Sequence, residues 1–123
     1  MNSPMAYTQC QTVTLDGEKA FEELYTRLAR WAQESAESQS QGDWTTSDSQ
    51  LDRCISLLGF MDRVIDVSQN YEIASAILSL HRFAIGALVR AKGQRNPAEL
   101  DGLPQIFISL GEIFGTIRAS RNP

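Results

Sequence analysis

The sequence predicts an all-α fold: an antiparallel up-down four-helix bundle with a flexible N-terminal arm. Apolar residues recur at helical spacing in four segments, and no segment has the alternating pattern of a convincing strand. The connections between these segments are short, which favours antiparallel neighbours. We expect residues 1–16 to form the arm and residues 17–120 to form the bundle.

The first helix is predicted from about Glu18 to Ser38, with Asp16 at its N-cap. Its opposite face is charged, so this helix is amphipathic in the ordinary one-sided way. The residues that share its apolar face are Phe21, Leu24, Tyr25, Leu28, Trp31 and Ala32.

The second helix follows a polar loop of residues 38–49. Ser47 and Gln50 have the spacing of a capping box, which predicts the start of this helix. It is expected to run to about Val67. Its main apolar face is Leu51, Cys54, Ile55, Leu58, Met61 and Ile65, and Leu57, Phe60, Val64 and Val67 widen the stripe beyond one core contact.

The third helix is apolar around nearly its whole circumference. A tight turn at residues 68–70 precedes it with Asn70 as the N-cap, and Gly93 is predicted to end it. We interpret His81, the single histidine, as a partly buried packing residue. A helix of this kind must be buried on most sides or must present apolar surface to a partner.

The fourth helix is predicted to begin with Asn96 at the N-cap, Pro97 at N1 and Glu99 at N3. Pro104 lies inside it and should bend it or split off a first turn. Residues 118–123 are expected to form a frayed tail. The predicted core face is Leu103, Ile106, Phe107, Leu110, Ile113, Phe114 and Ile117.

A second strip of the fourth helix is nearly free of long side chains. It contains Ile108, Gly111 and Gly115, and a glycine inside a helix costs up to ~1 kcal/mol relative to alanine. Two explanations remain open. Another helix of the bundle approaches closely, or the strip floors a shallow outer groove for an apolar helix of a partner.

The bulk composition is that of one soluble domain of 123 residues, with 42% hydrophobic residues and a net charge of −4. The negative charge argues against a nucleic-acid partner. Two isolated cysteines and the absence of a signal-peptide pattern predict a cytoplasmic protein. The uncharged run from Gly102 to Gly111 is too short to span a bilayer, so we expect no membrane insertion.

The charge is unevenly distributed. Residues 1–70 hold 11 acidic and 5 basic residues, a balance of −6, whereas residues 71–123 hold 4 and 6, a balance of +2. This asymmetry is either a solvated acidic surface on the first two helices or a less acidic C-terminal half that receives an acidic or neutral partner.

Motifs for catalysis are absent from the sequence. With His81 as the only histidine, His-pair metal sites and histidine dyads are excluded. No glycine-rich phosphate loop follows a strand, and no GxSxG motif occurs. We therefore predict that the protein is not an enzyme and uses no metal or cofactor.

Four short features occur in a characteristic order. Tyr7 lies in the arm, Leu24-Tyr25 in the first helix and Gly42-Asp43 before the second, and the third helix reads IASAILSLHRFAIGALVRAK. Across residues 7–119 this order resembles the FliS family of flagellin-specific export chaperones, whose third helix follows the pattern IAxxLxxLYxYMxxRLxxAN. The chain departs from that pattern at His81-Arg82, Gly86-Ala87 and Lys92.

The resemblance implies a cytosolic, ATP-independent chaperone. It would bind the disordered C-terminal segment of flagellin, keep it unpolymerised and present it to a component of the export apparatus. The alternatives are a chaperone for a different secretion substrate and a structural helical module whose surplus apolar face forms a homodimer. The predicted client-binding residues are Tyr7, Ile55, Leu58, Ile108, Gly111 and Gly115.

Overall fold

The computed structural model describes residues 15–65 and 70–121, with side chains described for residues 19–65 and 70–120. The elements are α1 (Leu15–Ser40), α2 (Trp44–Val64), α3 (Tyr71–Gln94), a 3₁₀ helix (Pro97–Leu100) and α4 (Leu103–Arg121). Within these two ranges there is no strand. The predicted all-α four-helix bundle is confirmed, and the predicted arm lies almost wholly outside the described residues.

The helices are packed in the order α4, α1, α2, α3. The central helix α1 packs along both α4 and α2, and α3 packs on α2 and on the 3₁₀ helix. Between α3 and α4 the contacts are sparse. The bundle is therefore open along one side, between its third and fourth helices.

The core is built from the predicted apolar faces. An aromatic cluster lies between α1 and α4, where the ring centroids of Phe21 and Phe114 are 5.1 Å apart and those of Tyr25 and Phe114 are 5.7 Å apart. The largest fully buried side chains are Tyr25, Phe107, Phe114, Leu28, Leu51, Leu58, Met61, Leu88, Leu103, Leu110 and His81. These residues come from all four helices, so the bundle has one continuous core.

The predicted starts of the first two helices are wrong. Because α1 begins at Leu15, Asp16 lies inside it and not at its N-cap. The second helix begins at Trp44, where the Asp43 carboxylate accepts a hydrogen bond from the Thr46 amide at 3.2 Å. Ser47 does not cap the helix, since its buried hydroxyl lies 2.8 Å from the hydroxyl of Ser35 on α1.

The second and third helices also end at other residues than predicted. Helix α2 ends at Val64 and Ile65 is extended, so the predicted helix ends early, and residues 66 and 67 of the prediction lie outside the described ranges. The N-cap of α3 at Asn70 is confirmed, since its side chain accepts from the Ile73 amide at 3.2 Å. Gly93 lies inside α3, which runs to Gln94.

The end of α3 is set by Arg95, which adopts the left-handed conformation at φ 49° and ψ 46°. This conformation costs a residue with a Cβ roughly 1–2 kcal/mol. The Arg95 guanidinium lies 5.0 Å from the centroid of the Trp44 ring, a cation–π contact worth roughly 0.5–1 kcal/mol. A tertiary contact with α2 therefore offsets part of the backbone cost that glycine would have avoided.

The predicted effect of Pro104 is confirmed. The segment capped by Asn96 is a separate 3₁₀ helix, Pro97–Leu100, and α4 begins only at Leu103, which places Pro104 in its first turn. The predicted frayed tail is wrong for residues 118–121, because α4 continues to Arg121, and residues 122 and 123 lie outside the described ranges. Arg118 is held there by Glu22 of α1, with Nε 2.6 Å from Oε2.

One helix within residues 15–65 and 70–121, α3, is long and apolar enough to cross a membrane by length and composition alone. The side of α3 that is buried in the bundle carries Ala74, Ile77, His81, Ala84, Ala87, Leu88 and Ala91. Helix α3 thus has a conventional core face, and its remaining apolar residues need a separate explanation.

Candidate functional site

An apolar groove runs between α3 and α4. Its first half has a volume of about 490 Å³ and its second half about 430 Å³, and both halves are lined by Leu80, Ser109 and Ile113. The shared residues make the groove continuous along the two helices. Its remaining aliphatic lining is Ile73, Ala76, Ile77, Ile106, Leu110 and Ile117.

Three residues of the groove are exposed to an unusual degree for aliphatic side chains on packed helices. Ile73 is 41% exposed, Leu80 is 37% exposed and Ile113 is 39% exposed. Contiguous exposed apolar surface of this kind is typical of a binding site. The polar side chains along the first half of the groove, Ser109, Glu112 and Thr116, all come from α4.

The sequence of α4 explains why the groove exists. At about 100° per residue, Ile113 and Ile117 fall on one flank of the helix, Gly111 and Gly115 fall on the opposite flank, and the core face lies between them. The glycine flank packs against α1, and the isoleucine flank faces α3. The same helix therefore approaches one neighbour closely and leaves apolar surface toward the other.

The glycine flank is in close contact with α1. A Cβ added to Gly111 would lie 3.4 Å from the Tyr25 Cβ, and a Cβ added to Gly115 would lie 3.1 Å from the Glu22 carboxylate. The Glu22 carboxylate in turn makes a bidentate ion pair with Arg118, in which the second contact is 3.1 Å. Close helix approach within the bundle, one of the two explanations left open, accounts for Gly115, whereas the contact at Gly111 is an ordinary van der Waals distance.

The predicted client-binding residues do not form one site. Ile108, Gly111 and Gly115 line a small cleft of about 250 Å³ between α1 and α4, on the flank of α4 that faces away from the α3–α4 groove. Ile55 is half-buried against the core, and Leu58 is fully buried. Tyr7 lies outside the described residues.

The client-binding roles of these residues stay predictions, but the residues differ in how much of their side chain is exposed to a client. Ile108 is 43% exposed, whereas Leu58 has no exposed surface and in this conformation only packs the core. Ile106, Ile113 and Ile117 were predicted to lie in the core, but they line the α3–α4 groove, which was not predicted. The available signal was the width of the apolar arc on α4, which exceeds what one core contact requires.

A comparison with protein families finds one that matches nearly the whole chain. The family described as flagellar protein FliS matches residues 1–121, a range that includes both groove helices. The chain belongs to the FliS family. No curated protein matches the chain. Family membership places this protein among the chaperones of flagellar assembly.

A buried polar chain joins three helices of this FliS-family protein. The Tyr25 hydroxyl on α1 lies 2.6 Å from Nε2 of His81 on α3, and Nδ1 of His81 lies 2.5 Å from Oδ1 of Asp62 on α2. The carboxylate can only accept, so Nδ1 donates to Asp62 and Nε2 of a neutral imidazole accepts from Tyr25. His81 is fully buried, which goes further than the predicted partial burial.

Burial controls the protonation of this chain. It lowers the pKa of His81 below the usual 6.5, against the smaller opposing effect of Asp62, and it raises the pKa of Tyr25 well above 10. Both groups are therefore neutral at neutral pH. The sequence pattern singled out His81 as the lone histidine but contained no signal for its two partners, which lie 56 and 19 residues away.

The described residues were also searched for a reactive thiol and for a metal site. Burial raises the pKa of the Cys54 thiol to about 12, so the thiol stays protonated inside the core. In the described part of the chain, no three His, Cys, Asp or Glu side chains are grouped so that they could hold a metal ion. The apolar groove between α3 and α4 is the feature on which we base the proposed function.

Proposed function

We propose that this protein is an export chaperone that binds the disordered C-terminal segment of flagellin in the cytosol. It keeps that segment from polymerising early and delivers it to a component of the export apparatus. Membership of the FliS family supports the class of function. The observation that supports a client site is the continuous apolar groove between α3 and α4.

The groove suits an amphipathic segment that folds as it binds. Leu80 and Ile113 lie at its centre, with apolar residues one and two helical turns away on both helices. A partner helix with apolar residues at i, i+3, i+4 and i+7 would place one face along this lining. Burial of a few hundred Å² at ~25 cal/mol per Å² gives several kcal/mol, which offsets the cost of ordering the segment.

Isothermal titration calorimetry of the purified protein with a peptide of the flagellin C-terminal segment tests this proposal. Ile113→Lys places a charge at the centre of the groove and should weaken binding by tenfold or more, since the transfer of one aliphatic side chain is worth roughly 1.5–3 kcal/mol. Val89→Lys is the matched control, because Val89 is 52% exposed on α3 and does not line the groove.

The results separate the rival functions. Binding that Ile113→Lys weakens and Val89→Lys preserves supports the flagellin client and the groove together. Equal affinity in both variants contradicts the groove as the site. If the peptide fails to bind and light scattering shows a dimer that Ile113→Lys dissociates, the groove is a homodimer interface. A monomer without peptide binding indicates a different export substrate.

A further inference from the structure

The Tyr25–His81–Asp62 chain ties α3 to the two helices that are central to the bundle. Helix α3 packs on α2 and on the 3₁₀ helix but makes only sparse contacts with α4. His81 reaches across the core to the α1 residue Tyr25, with the ring centroids 5.7 Å apart. It directly follows Leu80, which lines both halves of the groove. The residue that carries the buried imidazole and a residue that lines the groove are therefore consecutive on α3.

The Tyr25–His81–Asp62 hydrogen bonds can both form in only one protonation state of His81. Neutral His81 donates from Nδ1 to Asp62 and accepts at Nε2 from the Tyr25 hydroxyl. A second proton, taken from solvent, would occupy Nε2 and remove the acceptor of the Tyr25 O–H. His81 is the acceptor that the described structure provides for this buried hydroxyl. The ion pair of protonated His81 with Asp62 would persist, so the link that breaks is the one to α1.

The groups next to His81 and its partner Tyr25 come from α2, from α4 and from α3 itself. Asp62 of α2 contacts the ring, and its side chain is 32% exposed, which gives a proton a route from solvent. From α4, the uncharged ring of Phe114 packs against Tyr25. On α3 itself the adjacent Arg82 is exposed.

We propose that His81 is a proton-sensitive latch that holds α3 against α1, and that its protonation loosens α3 and opens the α3–α4 groove. This inference goes beyond the proposed function, because it concerns the groove in the absence of any client. His81 is a positioning residue here and does not itself contact the groove's occupant.

The experiment measures the protonation of His81 by NMR in the full chain. Because the chain contains a single His, the imidazole ¹⁵N resonances report the protonation and tautomer of His81 alone. Amide hydrogen exchange, corrected for the intrinsic effect of pH, is measured for α3 and for α1 between about pH 7.5 and pH 5. Fluorescence of anilinonaphthalene sulfonate, a probe of exposed apolar surface, is recorded on the same samples.

In the wild type we expect the exchange of α3 amides to increase roughly tenfold relative to α1 amides, the change expected from the loss of one buried hydrogen bond. Probe fluorescence should rise with the same midpoint as the His81 resonance. His81→Gln, whose side chain does not titrate, should show neither change. Loss of the nearby negative charge in Asp62→Asn should move the midpoint to lower pH.

Asp52→Asn is the matched control. Asp52 also links α2 to α3, through Lys92 at 2.8 Å, but its side chain is 55% exposed, and Lys92 lies about three turns along α3 from His81. Asp52→Asn should leave the midpoint unchanged, and the comparison of the two aspartate variants remains decisive if His81→Gln does not fold.

The latch is rejected if His81 titrates while α3 exchange stays constant, if the response persists in His81→Gln, or if His81 stays neutral until the bundle unfolds. None of these readings depends on flagellin, so they are separate from a failure of the client proposal.

Discussion

At the scale of single residues, the most consequential contact is the hydroxyl of Tyr25 on His81. Both side chains are fully buried, and each satisfies a polar atom of the other at 2.6 Å. Removal of one partner leaves a buried polar atom of the other without a hydrogen bond, and this costs more free energy than the bond itself contributes to stability. The pair therefore contributes to stability as well as to the position of α3.

Tyr25→Phe should lower the free energy of unfolding by roughly 1–3 kcal/mol, since it leaves Nε2 of His81 without a donor. Tyr71→Phe makes the same chemical change on a side chain that is 72% exposed and should stay within about 0.5 kcal/mol of the wild type. Urea unfolding near neutral pH measures both variants. An equal effect of the two substitutions would contradict the assigned role of the buried hydroxyl.

At the scale of the elements, the contrast between the two flanks of α4 sets the shape of the bundle. The flank with Gly111 and Gly115 packs on α1, and Gly115 leaves room for the Glu22–Arg118 ion pair. The opposite flank carries aliphatic residues that α3 covers only in part. Close packing on one side and an open groove on the other are thus two results of one helical pattern.

Two glycine substitutions separate close packing from helix propensity. Gly115→Leu must displace the Glu22 carboxylate, and we expect it to destabilise the protein by roughly 1–3 kcal/mol. Gly93→Ala lies in the last turns of α3, where an added Cβ meets nothing within 4 Å, and it should stabilise the protein by up to ~1 kcal/mol. Thermal or urea unfolding gives both values, and destabilisation by Gly93→Ala would contradict the open space around that position.

At the scale of the whole molecule, two pKa shifts make the stability of the bundle depend on pH in the same direction. The pKa of His81 is lowered by burial below its usual 6.5, and the pKa of Glu22 is lowered below 4.5 by its hydrogen bond to Arg118. In both cases the unfolded state binds a proton at a higher pH than the folded state does. Acidification therefore favours unfolding.

The stability curve should be flat just above pH 6.5 and should fall in two steps as the pH decreases. The first step begins at 6.5 and ends at the folded-state pKa of His81, and the second begins at 4.5 and ends at that of Glu22. Urea unfolding at a series of pH values measures the curve. His81→Gln should remove the first step and Glu22→Gln should reduce the second. Glu23→Gln, at the exposed residue next to Glu22, is the control and should keep the shape of the wild-type curve.

Most of the fold could be predicted because it depends on local patterns. The helical periodicity, the Asn70 cap and the break at Pro104 are each encoded within a few residues, and all three are confirmed. The errors at Ser47 and Gly93 have a common origin. Each residue type matched a local signal, but a tertiary contact placed the helix end elsewhere: Ser47 is paired with Ser35, and Arg95 is stacked on Trp44.

The sequence by itself determined the helical class, the four apolar faces and the surplus of apolar surface, because these follow from which residues recur every three or four positions. Only the tertiary structure decided where the surplus is exposed. A groove depends on the distance between α3 and α4, and a buried polar chain depends on residues from three helices that meet across the core. Such distances are set by the packing of the whole bundle, which no local spacing records.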